Sequence, residues 1–415
     1  MSAYRALAVW ILASAAASLG GCQVLSGLND YGEASSSATV AGAGGGGGSS
    51  SSSGGGMAGD GGMAGVGGMA GVGGMGGVGG MGGVGGMGGV GGTGGSTTSG
   101  AGGSCPVEGC LGGDCLDGKC QPFQLNDTPG GPVDLLAVDG SHVYWARLAV
   151  GTTSGSISRV PLVGGPAVVF LGNIKPRGLA VDGTNVYFTD YALATGHVNS
   201  IPKASPTGSS ALYSEPLHKP VPIVADGQLF WGVETNQKIR TGLSAGGSGA
   251  GTEIASGGSP QHLAVDAQYV YWHSSQGVSR VSRGGGTAQT VAGPADPAIY
   301  GIAVDNEQDG YVYYATSGAA GSLWKAKKIG GSKDPLASGL SYARTVLVDA
   351  DHVYWAEYGV ADCGTASGKI KRMPVGGGLP EEVVVGLTCP QLAMDTLSII
   401  YNDGVNLFRL AKPPS

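Results

Sequence analysis

Residues 136–160 of the chain read LAVDGSHVYWARLAVGTTSGSISRV, and the pattern of this stretch is the basis for predicting the fold. An apolar run ends at Asp139, a tight turn follows, and Val143 leads into the aromatic pair Tyr144-Trp145. After a variable loop comes a shorter apolar segment, Ile157-Ser158-Arg159. Short apolar runs that are rich in β-branched and aromatic residues and bounded by turn residues are typical of β-strands. The stretch therefore predicts three short strands in succession.

The same pattern recurs seven times after Cys120. Its marker aspartates, which end the first segments, lie 39 to 46 residues apart. They are Asp139, Asp182, Asp226, Asp266, Asp305, Asp349 and Asp395. The third segments begin at Ile157, Val198, Ile239, Val278, Leu323, Ile370 and Leu407. A period near 42 residues with four short β-like runs is the signature of propeller blades. We therefore predict an all-β, seven-bladed β-propeller over residues 121–415, with six blades as the alternative.

Three segments carry a resemblance to known repeats. Leu136-Ala137-Val138-Asp139, Val143-Tyr144-Trp145 and Ile157-Ser158-Arg159 resemble YWTD repeats and, more loosely, NHL repeats. The resemblance covers residues 121–415 and is specific to the fold. Propellers of the YWTD family usually have six blades, and only Tyr187-Phe188-Thr189-Asp190 approaches the full tetrad here.

The two ends of the repeat region favour seven blades. The seventh repeat stops after its third segment, Leu407-Phe408-Arg409. Residues 121–125 (QPFQL) precede the first marker and align with residues 167–171, the fourth strand of the first blade. An N-terminal strand that completes the last blade would close the ring and leave no open sheet edge.

The N-terminus predicts export and lipid attachment. Arg5 precedes an apolar run over residues 6–19, which is too short to span a bilayer and is typical of a signal peptide. Leu19-Gly20-Gly21-Cys22 resembles the lipobox of bacterial lipoproteins, which implies cleavage after residue 21 and acylation of Cys22. An ordinary signal peptide with a chance cysteine is the alternative. Gln23 follows rather than Asp, and by the same resemblance this favours the outer membrane of a Gram-negative cell envelope.

Residues 22–104 predict a lipidated cysteine followed by a disordered tether. Gly supplies 84 of the 415 residues, and a six-residue Met-(Ala/Gly)-Gly-Val-Gly-Gly repeat fills much of this segment. Such a composition cannot bury enough apolar surface to offset the entropy lost on folding. Charged residues make up 12% of the chain and the net charge of −7 is not concentrated in one block, so no nucleic-acid partner is expected.

The cysteines beyond Cys22 predict disulfides. Cys105, Cys110, Cys115 and Cys120 are spaced evenly, five residues apart, and an even count in an exported chain indicates disulfide bonds. This spacing differs from the C-x2-C of zinc sites, so residues 105–120 are predicted to form a disulfide knot with no metal. Three connectivities stay open. Cys363 and Cys389 fall in loops on one face of adjacent blades, which predicts a third disulfide.

Two repeated sets of side chains are interpreted as structural. The aromatic pairs are expected to pack between blades. The marker aspartates are expected to bond to their turns and to cations at one repeated third-strand position. Those cations are Arg159, Arg280, Lys325, Arg372 and Arg409.

Polar residues that do not repeat predict the ligand site. We use top face for the end of the ring that carries the loops between second and third strands and between consecutive blades. Arg147, Asp190, Glu234, His273 and Glu357 follow the aromatic pairs onto this face. Arg177, Gln261, His262, Tyr300 and Arg344 begin first strands there. Polar groups that converge in a funnel are the default candidate for a ligand site, and ordinary solvated loop residues are the alternative.

No catalytic motif is present, so we predict a membrane-anchored binding module without a cofactor, which recognises a protein or a small molecule. The oligomeric state is not indicated. The alternative is an enzyme similar to virginiamycin B lyase. Such lyases are seven-bladed propellers that use His, Glu and a bound divalent metal on the axial face. That resemblance implies a set built from His262, His273, Glu234 and Glu357, although none of them matches a motif residue by residue.

Overall fold

The computed structural model describes Cys105 and residues 109–127, 133–148, 154–192, 195–206, 208–293, 299–362 and 364–413. The predicted signal peptide, Cys22, the tether and Cys363 lie outside these residues. Within them every regular element is a β-strand. No helix in this part of the chain has the length and apolar character needed to cross a bilayer.

The described chain begins with a small disulfide-bonded hairpin. Strands β1 (Cys115–Leu116) and β2 (Lys119–Cys120) pair through a turn whose central residues, Asp117 and Gly118, have φ values of 49° and 73°. Asp-Gly favours this turn because both central residues need positive φ. The two disulfides are Cys105–Cys115 and Cys110–Cys120, which selects one of the three possible connectivities. Cys389 is also disulfide-bonded, and its pairing with Cys363 stays a prediction.

The described residues contain thirty strands, which form this hairpin and seven four-stranded antiparallel sheets. The strand β3 (Phe123–Asp127) comes next in the chain. Blade one consists of β4 (Leu135–Val138), β5 (His142–Arg147), β6 (Gly155–Pro161) and β7 (Val168–Ile174). Blade two consists of β8 (Pro176–Val181), β9 (Asn185–Ala192), β10 (Thr195–Pro202) and β11 (Ser210–Pro216). Blade three consists of β12 (Pro220–Asp226), β13 (Gln228–Val233), β14 (Lys238–Gly242) and β15 (Thr252–Ser256).

The remaining blades repeat this order. Blade four consists of β16 (His262–Val265), β17 (Tyr269–Ser274), β18 (Gly277–Ser282) and β19 (Gln289–Ala292). Blade five consists of β20 (Ile299–Val304), β21 (Tyr311–Thr316), β22 (Gly321–Lys327) and β23 (Lys333–Leu340). Blade six consists of β24 (Ala343–Val348), β25 (His352–Glu357), β26 (Gly368–Pro374) and β27 (Glu381–Leu387). Blade seven consists of β28 (Leu392–Met394), β29 (Ser398–Asn402) and β30 (Asn406–Ala411), and β3 is its fourth strand.

The ring is closed, as predicted. Each first strand contacts the first strands of both neighbouring blades, including β28 against β4. Strand β3 pairs with β30, so the N-terminal strand completes the last blade. Its register differs by one residue from the sequence alignment, because Phe123 and Val168 occupy equivalent places opposite Arg409 and Arg159. Burial explains the shift, since this register puts Leu125 where blade one has the buried Phe170.

One apolar cluster fills each interface between adjacent blades. Successive side chains of a strand point to opposite faces of the sheet. Tyr144 therefore packs against Phe188 of blade two, whereas Trp145 packs against Ile400 of blade seven. The aromatic pairs supply the largest fully buried side chains. The prediction that these pairs form the core is confirmed.

Six of the seven marker aspartates, all except Asp226, hold their turns as predicted, but most of their cation partners differ from the prediction. Asp139 Oδ1 accepts hydrogen bonds from the backbone N–H groups of Ser141 and His142, both at 2.7 Å. The other carboxylate oxygen, Oδ2, forms an ion pair with Lys203 of blade two. Three further ion pairs repeat this link between neighbours. They are Arg283–Asp226 at 2.7 Å, Lys328–Asp266 at 2.9 Å and Lys412–Asp349 at 3.1 Å.

We call these four pairs interblade clasps. Each clasp cation directly follows the third strand of its blade, where it lies beside the first turn of the preceding blade. The predicted cations lie three residues before this position, within the third strands. Arg409 does form an ion pair with a marker aspartate, Asp395, at 3.6 Å. The others bind elsewhere: Arg159 to the Lys203 carbonyl, Arg280 to Gln289, Arg372 to Glu381, and Lys325 over the Tyr311 ring.

Candidate functional site

Two histidines face each other on the top face of blade four. His262 opens β16 and pairs with His273 of β17, and their ring centroids are 6.1 Å apart. Both side chains are buried. Neither ring nitrogen of His262 has a hydrogen-bond partner among the described residues, and the same is true of His273 Nδ1. Buried polar groups are normally hydrogen-bonded, so this pair offers unused donors and acceptors.

Burial keeps both imidazoles neutral. Burial, with smaller contributions from His273 and Arg344, lowers the pKa of His262 to about 3. Burial alone lowers the pKa of His273 to about 4. A neutral imidazole has one donor nitrogen and one acceptor nitrogen. At neutral pH the pair therefore adds hydrogen-bonding capacity to the site without adding charge.

Arg344 supplies the positive charge next to these rings. Its guanidinium carbon lies 4.0 Å from the ring centroid of Tyr300 in blade five and 5.0 Å from that of Tyr358. The Arg344 Nε atom is buried and has no hydrogen-bond partner among the described residues. No carboxylate in this part of the chain forms an ion pair with the side chain. The cation thus lies close to two aromatic rings. The rings attract the charge, but they are not hydrogen-bond acceptors for the N–H groups in the guanidinium plane.

Two further buried polar side chains extend the site into blades six and seven. Gln391 precedes β28, and its Nε2 donates a hydrogen bond to the Tyr358 hydroxyl at 2.6 Å. Its backbone N–H donates to Asn402 Oδ1 at 2.6 Å. The Gln391 Oε1 atom and the Thr345 Oγ1 atom are buried without a hydrogen-bond partner among the described residues. The Tyr358–Gln391 bond therefore connects blade seven to the side chains around Arg344.

These contacts join six residues, His262, His273, Tyr300, Arg344, Tyr358 and Gln391. Together with Thr345, which directly follows Arg344, we call them the top-face cluster. Sequence reasoning did not identify Thr345, Tyr358 or Gln391. The sequence does contain a signal for two of them, because Thr345 and Gln391 occupy the repeat position of His262, four residues before the marker aspartate. In blade five this position is Gly301, where a Cβ would come within 2.6 Å of the Arg344 carbonyl oxygen. Side chains at this position thus lie close to the first strand of the next blade.

Among the described residues, the other predicted site residues form no side-chain hydrogen bond or ion pair with this cluster. Gln261 is half-buried, and its backbone N–H donates to the His273 carbonyl at 3.0 Å. Asp190 binds His197 and Asn199 within blade two, at 3.3 and 3.1 Å. Arg177 is exposed, and Arg147 and Glu234 are half-buried in blades one and three.

Glu357 has a structural role that the sequence did not predict. The side chain is buried, and it accepts hydrogen bonds from Trp355 Nε1 at 2.8 Å and from the Ser341 backbone N–H at 3.1 Å. Lys371 Nζ lies 3.1 Å from the same carboxylate. This carboxylate is therefore occupied inside blade six. Among the described residues, the only metal-ligand types grouped closely enough to hold an ion are disulfide cysteines, so His262, His273, Glu234 and Glu357 do not form the implied metal set.

A cavity of about 900 Å³ opens at the opposite, bottom end of the ring. Its wall contains several marker-aspartate turns and the turn of blade five, in which Asp305 and Tyr311 are six residues apart rather than the three between Asp139 and His142. Sequence reasoning missed this cavity, although the longer turn marks its position. Most aspartates in its wall already hold a turn and a cation. We therefore place the candidate site at the top-face cluster, where buried donors and acceptors lack partners.

Comparison with known proteins supports the fold. No protein-family model matches the chain, and no curated protein matches it. Among solved structures, virginiamycin B lyase from Staphylococcus aureus aligns with a TM-score of 0.53 at 14% identity, covering 71% of this chain and 99% of the lyase. A catalytically inactive variant of that lyase with quinupristin aligns with a TM-score of 0.53 at 16% identity, with the same coverage.

A protein of another kind aligns equally well. The WD40 propeller domain of Doa1 gives a TM-score of 0.52 at 12% identity and covers 71% of this chain and 98% of that domain. At such identities the likeness extends to the fold alone, because propellers host unrelated functions. The class of protein is thus a seven-bladed β-propeller.

Proposed function

We propose that this chain is an exported, lipid-anchored binding module whose propeller recognises a protein or small-molecule ligand at the top-face cluster. One observation carries the proposal: five side chains of the cluster keep buried nitrogen or oxygen atoms without hydrogen-bond partners among the described residues, namely His262, His273, Arg344, Thr345 and Gln391. Leaving such a group unpaired costs roughly 1–3 kcal/mol. A bound ligand would supply the missing hydrogen-bond partners. The cluster is therefore better suited to ligand binding than to stabilising the fold.

The chemistry of the cluster favours binding over acid–base catalysis. A general base works best when its pKa lies near the operating pH. The pKa of His262 is about 3 and that of His273 about 4, so both are weak bases. The membrane anchor rests on the lipobox resemblance at Cys22.

The test is capture of envelope components by the purified propeller. Wild type should retain a discrete partner that is lost when Arg177, His262 and Arg344 are replaced together by Ala. Arg280→Ala is the matched control, because Arg280 bonds to Gln289 at the other end of the ring and should leave capture intact. Equal capture by the triple variant would place recognition elsewhere.

A metal-dependent lyase is the second candidate, and the facing pair of His262 and His273 is the observation that favours it. Metal analysis separates the candidates without knowledge of a substrate. We expect substoichiometric divalent metal in the purified protein. One tightly held ion per chain that is released by His262→Ala or His273→Ala would reverse the order of the two candidates.

A further inference from the structure

Arg344 is a half-buried cation that forms no ion pair with a carboxylate among the described residues. Its Nε is buried and unpartnered, and its guanidinium lies between the rings of Tyr300 and Tyr358. Other cations with little exposure do have side-chain acceptors: Lys328 Nζ lies 2.9 Å from Asp266 Oδ2, and Arg280 bonds to Gln289. Removing a charge from water is expensive unless an opposite charge replaces the water. The missing component at Arg344 is therefore an anion.

The surroundings of Arg344 limit the charge of that anion. His262 and His273 are neutral at pH 7 because burial lowers the pKa of each. Thr345 and Gln391 carry no charge. The cluster thus presents one positive charge, which balances a monoanion better than a phosphate dianion. A planar carboxylate also matches the two parallel N–H donors that a guanidinium can present.

The unpartnered neutral atoms indicate what accompanies the carboxylate. Gln391 Oε1 is an acceptor only, so it needs an N–H or O–H donor from the ligand. The Thr345 hydroxyl and one His262 nitrogen can each donate to a ligand oxygen. The preferred ligand therefore carries a donor close to its carboxylate.

We propose that the top-face cluster binds a monocarboxylate whose neighbouring group is an N–H or O–H donor, with Arg344 as the carboxylate-binding residue. This deepens the proposed function and rests on it. Two sources offer this chemistry: the C-terminus of a peptide, where an amide N–H adjoins the carboxylate, and a free 2-hydroxy acid.

The experiment measures binding of small probes to the purified propeller by titration calorimetry. N-acetylglycine represents the peptide C-terminus, lactate represents the hydroxy acid, and N-acetylglycinamide lacks the charge. We expect at least one carboxylate to bind at least tenfold more tightly than the amide, and the tighter of the two identifies the source. Arg344→Gln should weaken that binding at least tenfold, and Arg344→Lys should weaken it less because the charge remains.

Lys369→Gln is the control, because Lys369 pairs with Glu382 on the exposed part of blade six and should leave binding unchanged. Circular dichroism of each variant establishes that it is folded. Equal binding of N-acetylglycine and its amide, or equal binding by wild type and Arg344→Gln, would overturn the carboxylate assignment. If neither carboxylate binds while partner capture still depends on His262 and Arg344, the carboxylate proposal fails and the binding function stands.

Discussion

His262 and His273 lie opposite each other on the first two strands of blade four, with ring centroids 6.1 Å apart and both rings buried. Their pKa values, about 3 and about 4, lie below the value near 6.5 expected in an unfolded chain. Between these limits the unfolded chain binds more protons than the folded one. The contribution of the two neutral rings to the free energy of unfolding is therefore fully present well above pH 6.5 and is lost as the pH falls toward 4.

This linkage predicts acid sensitivity of the propeller. Between pH 7 and pH 5 each histidine should lower the free energy of unfolding by about 2 kcal/mol, because each pH unit below 6.5 is worth up to about 1.4 kcal/mol per proton. Urea unfolding at pH 7 and pH 5 measures the change. The double variant His262→Gln, His273→Gln should reduce this pH dependence. His218→Gln, which alters a surface contact with Thr235, should not. Identical pH dependence in all three proteins would contradict the assignment.

Ring closure can be tested at one side chain. Leu125 of β3 is buried between blades seven and one, whereas Gln124 beside it is exposed. Leu125→Asp should cost about 3–5 kcal/mol, because it removes apolar contacts and buries a carboxylate. Denaturant unfolding should show a single cooperative loss. Gln124→Asp is the matched control and should change stability little. If Leu125→Asp is as stable as the control, the closure of blade seven by β3 is wrong.

The architecture could be read from the sequence because propeller blades repeat. Seven marker aspartates and their aromatic pairs fixed the number of blades, and the incomplete seventh repeat located Leu125 within one residue of its place. The clasp cations were missed because the pairs join different blades, as Lys203 joins Asp139 across 64 positions. Tyr358 and Gln391 were missed for the same reason, since their contact spans two blades. A repeat pattern reveals what each blade shares, whereas a site is made where blades differ.

The interblade clasps predict unequal effects from similar lysine substitutions. Lys328 is 1% exposed and lies 2.9 Å from Asp266 and 3.2 Å from Asp305. Lys328→Met should cost about 3–5 kcal/mol, because it leaves two poorly solvated carboxylates without their cation. Lys369→Met removes an exposed pair with Glu382 and should cost less than about 1 kcal/mol. Thermal unfolding of both variants compares them directly, and similar losses would show that burial does not set the strength of the clasp.

The membrane anchor is predicted to depend on Cys22 alone. Acyl chains contribute about 0.8 kcal/mol of membrane affinity for each buried CH2 group. Loss of the sulfur atom that carries the acyl chain should therefore release the protein from the membrane. Cys22→Ser is therefore expected to move the protein from the membrane fraction to the soluble exported fraction. The propeller should keep its wild-type unfolding temperature, since its blades are built from residues beyond 122. Ser26→Ala, outside the lipobox, is the control and should remain in the membrane fraction. Retention of the Cys22→Ser protein in membranes after a high-salt wash would rule out lipid attachment at this residue, while the evidence for the propeller would be unaffected.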